Sequence, residues 1–170
     1  MLDKKIVDLI NTQINREFYS SYFYLDMANY YVDQSLNGFA NWFNIQTQEE
    51  YAHAMLFLKY LQINGEKVVL EAIEKPAIKF TDHKHPLTAA YDHELMVSHW
   101  INEIYAAAFE VKEFKTMQFL DWFVKEQIEE EQNVDELIKR FDLFGGDARG
   151  LYLLDQELSA RTFNAPSLVL

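Results

Sequence analysis

Gln46-Thr47-Gln48-Glu49-Glu50-Tyr51-Ala52-His53 interrupts an otherwise apolar stripe. The stripe runs Phe39, Phe43, Gln46, Glu50, His53, Phe57 and Tyr60, at helical spacing. An amphipathic helix turns such a face toward a core, so the interruption puts an amide, a carboxylate and an imidazole where burial is expected. Glu50 and His53 stand three residues apart on one face, close enough to ligate a common metal centre. Alone, a Glu-x-x-His spacing decides little.

Three further stripes repeat the pattern. The first is Ile6, Ile10, Ile14, Glu17, Ser21, Tyr24, Ala28 and Tyr31; another is Leu87, Ala90, Glu94, Val97, Ile101, Ile104 and Ala108; the last is Leu120, Phe123, Gln127, Glu130, Val134, Leu137 and Phe141. Each is apolar at its ends and polar in its middle. A buried carboxylate costs several kcal/mol unless it is paired or metal-bound. No Lys or Arg shares the middle of any stripe. Four ionised Glu carry about −4, which two divalent cations at about +4 would balance. Oxygen-rich ligation with one imidazole suits iron(II) or manganese(II) better than copper(I) or structural zinc. Oxidation to two iron(III) raises the metal charge to about +6, favouring oxo or hydroxo bridges, proton release or departure of the ferric product.

Gly and Pro cluster at Gly38, Gly65 to Pro86, Gly145-Gly146 with Gly150, and Pro166, leaving long uninterrupted segments. Helices are expected at about 3–33, 37–64, 86–112, 116–144 and 147–162. A short link near Ser35 to Gly38 makes the first two an antiparallel hairpin. The run from Leu87 to Phe144 has no Gly or Pro yet is too long for one helix of a compact bundle, so a turn is expected within Lys112 to Thr116. Asp147 can cap the short last helix. Between Gly65 and Pro86 the periodicity is lost. Twenty extended residues reach the length of a 28-residue helix, about 42 Å, so this segment can return the chain along the bundle. The fold class is all-α: a four-helix bundle with one long crossover between its second and third helices and a short fifth helix, in one domain over residues 1–170.

The register supports the metal reading. Reflecting Glu17 through a turn centred near residue 35 or 36 lands close to His53, and reflecting Glu94 through a turn near Lys112 to Phe114 lands near Glu130 or one turn beyond it.

The 170 residues include no Cys, which excludes disulfides, cysteine-ligated zinc, iron–sulfur clusters and thiol catalysis, and agrees with a cytoplasmic location. A net charge of −12 disfavours nucleic acid and anionic membranes as partners. The N-terminus lacks the pattern of a secretory signal, and no apolar run approaches the roughly 18 residues of a membrane span.

With these residues in view, the chain resembles the bacterial non-haem ferritins over nearly its whole length. The resemblance is carried by Glu17 and Tyr24, Glu49-Glu50-Tyr51-Ala52-His53, Glu94, Glu126-Gln127-Ile128-Glu129-Glu130 and the closing Gly150-Leu151-Tyr152-Leu153-Leu154-Asp155. It implies a ferritin-like bundle and a ferroxidase in which Glu17, Glu50 and His53 hold one iron. Glu50 would bridge to a second iron on Glu94 and Glu130, with Gln127 beside it. It also implies a third iron site from Glu49, Glu126 and Glu129 with Glu130, and Tyr24 as an oxidisable neighbour. Assembly is implied too: a hollow shell of twenty-four subunits that oxidises iron(II) with dioxygen or peroxide and stores hydrous ferric oxide.

Departures from relatives sharpen the expectation. Bacterioferritins carry Glu-x-x-His on both helix pairs and a haem-binding Met after the second-helix Glu. Here those positions are Glu130 and Tyr51, so no haem is expected. Rubrerythrin-like relatives need cysteines that this chain lacks, and Dps-like proteins lack this intra-bundle ligand set. From the residues alone, Glu49, Glu126 and Glu129 read as an ordinary solvated acidic face rather than as ligands, a preference the resemblance brings nearer to even, and Tyr24 reads as core packing. His83, His85, His93 and His99 are assigned no role. Trp42, Trp100 and Trp122 read as core or subunit contacts. Two other functions stay open at this level: a non-storage di-metal oxidase or oxygenase on the same bundle, and a structural helical module whose polar layer fixes register.

Overall fold

The computed structural model describes residues 2–170. Five helices follow in order: α1 Lys4–Asp33, α2 Asn37–Ile63, α3 His85–Glu110, α4 Phe114–Phe144 and α5 Ala148–Leu158. Among the described residues there is no strand. The first four make an all-α bundle, in which α1 pairs with α2, α3 pairs with α4, and α1 also meets α3.

Local chemistry sets the helix ends. Asp3 caps α1 by accepting from the Lys5 N–H at 2.8 Å. Asp82 Oδ1 accepts from the Lys84 and His85 N–H groups, both at 2.9 Å, at the start of α3, where Pro86 fills a first-turn position. Asp147 does the same for α5 through Arg149 and Gly150. The α1–α2 and α3–α4 turns each pass through a left-handed residue that is not glycine, Ser35 at φ 59° and Lys112 at φ 57°. The helix bounds differ from expectation in detail. The fourth helix starts two residues earlier, at Phe114, and the fifth ends at Leu158, which frees Arg161 from the helix.

The crossover between α2 and α3 runs alongside α1. The Asn11 side chain donates to the Lys67 carbonyl at 3.2 Å and accepts from the Val69 N–H at 2.7 Å. Asn15 reaches the Ala72 carbonyl at 3.2 Å, and the Tyr31 hydroxyl donates to the His83 carbonyl at 2.6 Å. This parallel course delivers the chain to the far end of α1, so α3 runs back antiparallel to it.

Two apolar clusters fill the bundle. One contains Phe23, Met27, Tyr31, Phe39, Phe43, Val134 and Leu137, and takes in Leu154 and Leu158 of α5. The other contains Ile6, Ile10, Ile14, Phe57, Leu61, Ile101, Ile104, Leu120 and Phe123. Between them lies a buried polar layer of Glu17, Gln46, Glu50, His53, Glu94, Gln127 and Glu130. The fold thus splits its core and places polar groups at the seam. Among the described residues no helix is long and apolar enough to cross a membrane.

Candidate metal centre

Each of the four long helices sends at least one carboxylate into the seam, and Glu17, Glu50, Glu94 and Glu130 are all at most 3% exposed. Two groups of ligand atoms come within 4.8 Å of one another: Glu17, Glu50 and His53, and then His53, Glu126 and Glu130. His53 belongs to both. Its Nδ1 lies 3.6 Å from Glu50 Oε2, as three-residue spacing on one helix dictates.

Amide side chains hold the carboxylates in place. Gln13 donates to Glu17 Oε1 at 2.7 Å and Gln46 donates to Glu130 Oε2 at 2.7 Å. Glu94 is held from both sides: the Tyr24 hydroxyl donates to Oε1, and Gln127 Nε2 donates to Oε2 at 3.0 Å. The partner of Glu94 across the α3–α4 pair is therefore Gln127, one turn before Glu130. Glu94 stands outside both close groups, with both of its oxygens hydrogen-bonded.

The electrostatics of this layer are those of unneutralised buried charge. Burial drives Glu50 well above the ordinary carboxylate range, with Glu94, Glu17 and Glu130 adding to the effect. Burial likewise pushes Glu94 up to about 7, and burial with Glu94 beside it pushes Glu130 up to about 8. Glu17 is raised mainly by burial, against the pull of His53. No Lys or Arg makes an ion pair with any of these four carboxylates among the described residues; Arg16 acts on Glu17 only through space, and Arg161 pairs with the neighbouring Glu49.

Glu17 supplies a direct test of metal fit. Its Oε2 is buried and has no hydrogen-bond donor among neighbouring groups. Two ionised carboxylates cannot bond each other, so its contact with Glu50 needs either a proton shared between them or a cation. A divalent ion would satisfy the orphaned oxygen, the facing Glu50 and the His53 ring nitrogen together. The donor set of carboxylates and one imidazole fits iron(II).

The accessory acids are less buried. Glu49 and Glu126 are half-buried and Glu129 is exposed. Burial raises Glu49, Arg161 opposes that, and Glu126 and Glu129 add to the rise. Glu126 also reaches the main centre through His53 and Glu130.

Gln13, His93 and Arg161 contribute to the centre without a mark in the helical stripes. Gln13 precedes Glu17 by four residues, a one-turn spacing that marks it, whereas Gln46, already on the apolar stripe of α2, holds Glu130 of α4. His93 carries no such mark, since it lies on none of the stripes. It is 3% exposed, its Nε2 lies 2.7 Å from Ser20 Oγ, and its ring packs edge-on to Tyr24 at 5.8 Å between centroids. Burial lowers it to about 4, so it is neutral. Arg161 carried no signal, since it is distant in sequence from everything it touches.

A family model for the ferritin-like domain matches residues 7–144. This chain belongs to the ferritin family. It is 35% identical to a probable bacterial non-heme ferritin-like protein of Haemophilus influenzae over 93% of this chain and 96% of that one. It is 34% identical to a bacterial non-heme ferritin of Staphylococcus saprophyticus over 96% of this chain and 98% of that one. Among solved structures, an open pore ferritin of the archaeon Archaeoglobus fulgidus superimposes with a TM-score of 0.92 at 39% identity, covering 95% of this chain and 98% of that one. A closed form of the same ferritin, engineered by site-directed mutagenesis, gives 0.94 at 39% identity over 96% and 100%. The four-helix bundle with a short C-terminal helix is thus the ferritin architecture.

Proposed function

We propose that this ferritin is an iron-storage ferroxidase, and the observation that carries the reading is the seam of buried carboxylates around His53 with the unpartnered Glu17 oxygen. Iron(II) is the substrate. Glu17, Glu50 and His53 take one ion, and Glu50 bridges to a second held by Glu130 and Glu94, the latter giving up one of its present hydrogen bonds. Gln127, already on Glu94, stays beside this second position and orients its carboxylate.

Two iron(II) ions deliver two electrons to one dioxygen, which takes up two protons and leaves as hydrogen peroxide. Two iron(III) carry about +6 against about −4 of carboxylate, an imbalance that favours hydrolysis and departure of the product. Glu49, Glu126 and Glu129 form the acidic path by which it leaves, with a third iron position among them. Where peroxide is still held at the centre, Tyr24, hydrogen-bonded to Glu94, supplies one electron and an iron(II) at the third position the other, and with two protons the peroxide is reduced to two waters, which limits escape of reactive oxygen. The product collects as hydrous ferric oxide inside a shell of twenty-four chains. Apolar side chains left exposed on a single chain, such as Tyr22, Tyr51, Met55 and Phe109, supply surface for such assembly.

Size-exclusion chromatography with light scattering, followed by aerobic iron(II) addition, tests this. Twenty-four chains of 20.1 kDa come to roughly half a megadalton. A particle of that size that oxidises and retains far more iron than its ligands can hold is the expected result. A monomer or dimer that stops at about two irons per chain would replace the storage reading by a soluble di-iron oxidase.

A further inference from the structure

Beyond α5 the chain folds back over α2, and Arg161 makes the contact. Its guanidinium lies over the Trp42 ring, 4.4 Å from the centroid, and donates to the Trp42 carbonyl at 3.1 Å. The second terminal nitrogen donates to Gln46 Oε1 and to Glu49 Oε2, both at 2.7 Å. Gln46 in turn donates to Glu130 Oε2. One cation thus sits directly on Glu49 and one amide away from Glu130. Its backbone is anchored separately: Asn41 Nδ2 donates to the carbonyls of Leu158 at 3.2 Å and Arg161 at 3.0 Å. Farther on, Trp122 Nε1 of α4 donates to Ser167 Oγ at 3.0 Å, so the tail spans from α2 to α4.

We propose that Arg161 is a tethered counter-ion that competes with metal for Glu49, so that a cation takes Glu49 Oε2 only by displacing the guanidinium. The proposal rests on the reading of Glu49 as an accessory ligand given above. The physical reason is that an oxygen accepting a charge-assisted hydrogen bond from a fork held by stacking cannot coordinate a metal through the same lone pairs. The pair is only partly exposed, with side-chain exposures of 22% for Arg161 and 18% for Glu49, so solvent does not screen it away. As metal binds, Arg161 swings off Glu49 while the Asn41 anchor keeps it nearby, ready to return when the metal moves on. Arg161 is a positioning residue; it touches no reacting atom.

Anaerobic manganese(II) titration of the metal-stripped assembly, followed by electron paramagnetic resonance of the free ion, reads this without any oxidation step. The native protein is expected to show a tight class from the buried centre and a weaker class that Glu49→Gln removes. Arg161→Gln is expected to tighten the weaker class about two- to fivefold and leave the tight class unchanged. Arg161→Lys keeps the charge and the tether, so it should bind manganese as the native protein does, and it guards against a trivial loss of the tail's fold. An unchanged or weakened second class in Arg161→Gln, with Glu49→Gln still abolishing it, would overturn the counter-ion proposal alone. If Glu49→Gln leaves all manganese binding intact, the accessory-ligand reading itself fails, and the proposal falls with it.

Discussion

The carboxylate of Asp155 caps the helix that begins beside Gly38, 117 positions earlier in the chain: its Oδ1 accepts from the Gly38 N–H at 2.7 Å and the Phe39 N–H at 3.0 Å. Leu36, at the N-cap position of α2, offers no side-chain bond, so the last helix supplies what the local sequence lacks. The approach is so close that a Cβ on Gly38 would run into the Asp155 carbonyl. Asp155→Ala should therefore cost about 1–2 kcal/mol, the worth of a helix cap, and Gly38→Ala should cost at least as much by pushing α5 away. Denaturant unfolding of the metal-stripped protein gives the first quantity, and faster proteolysis within α5 reports the second. Native-like resistance in Gly38→Ala would show that α5 docks without this contact.

Glu50 faces Glu17 and His53 and is pushed well above the ordinary carboxylate range by burial and by Glu94, Glu17 and Glu130. Glu50→Ala removes the carboxylate proposed to bridge the two metal positions and, with it, one buried charge. Rapid aerobic iron(II) oxidation should be lost while folding and helix content are retained, because the deleted group opposes folding when no cation accompanies it. Stopped-flow absorbance in the near ultraviolet measures the initial rate. A native rate in this variant would remove Glu50 from the centre.

What the sequence made legible was periodic. Stripes at helical spacing exposed four long helices, and the coincident polar breaks at Glu17, Glu50, Glu94 and Glu130 exposed the seam. Turn geometry was less visible. Lys112 takes a left-handed conformation usually left to glycine, so the α3–α4 turn carries no compositional mark. Contacts across great sequence distance were not visible at all. Asp155 reads as one more acid on a surface helix, and Arg161 as a residue at a frayed end, until the fold brings each to α2. Pairing register was recoverable only to about one turn, which is why Glu94 was aimed at Glu130 and meets Gln127.

Tyr24 is wholly buried, and its hydroxyl donates to Glu94. Burial and then Glu94 raise its phenol well above the ordinary range, so it cannot lose a proton before losing an electron. The proton leaves with the electron or after it, and Glu94 is positioned to take it. Tyr24→Phe should keep the initial oxidation rate within about threefold, since both metal ligand sets survive. The peroxide released per iron oxidised should rise, because the centre loses its nearby electron donor. A peroxidase-coupled dye assay measures that yield, and an unchanged yield would leave Tyr24 with a packing role.

The same buried acids fix how stability depends on pH. Glu94 at about 7 and Glu130 at about 8 hold their protons in the folded chain where an unfolded chain, near 4.5, has lost them. The native state then binds more protons than the unfolded state, and stability falls as pH rises through that window. His93 works in the opposite sense. Folding lowers it from 6.5 to about 4, so between those values the unfolded state binds its proton and stability rises with pH. The two effects partly cancel below pH 6.5; above it only the carboxylates remain. The thermal midpoint of the metal-stripped protein should therefore drop between pH 6.5 and about 8, with each carboxylate contributing up to about 1.4 kcal/mol per pH unit until it ionises. Manganese(II) replaces those protons with metal charge, so its stabilising effect should grow over the same range and release protons into a weakly buffered solution. Scanning calorimetry with and without the ion, at matched ionic strength, measures both slopes. A metal-free midpoint that stays flat or climbs from pH 6.5 to 8 would mean that the seam carboxylates are already ionised and neutralised by something other than metal.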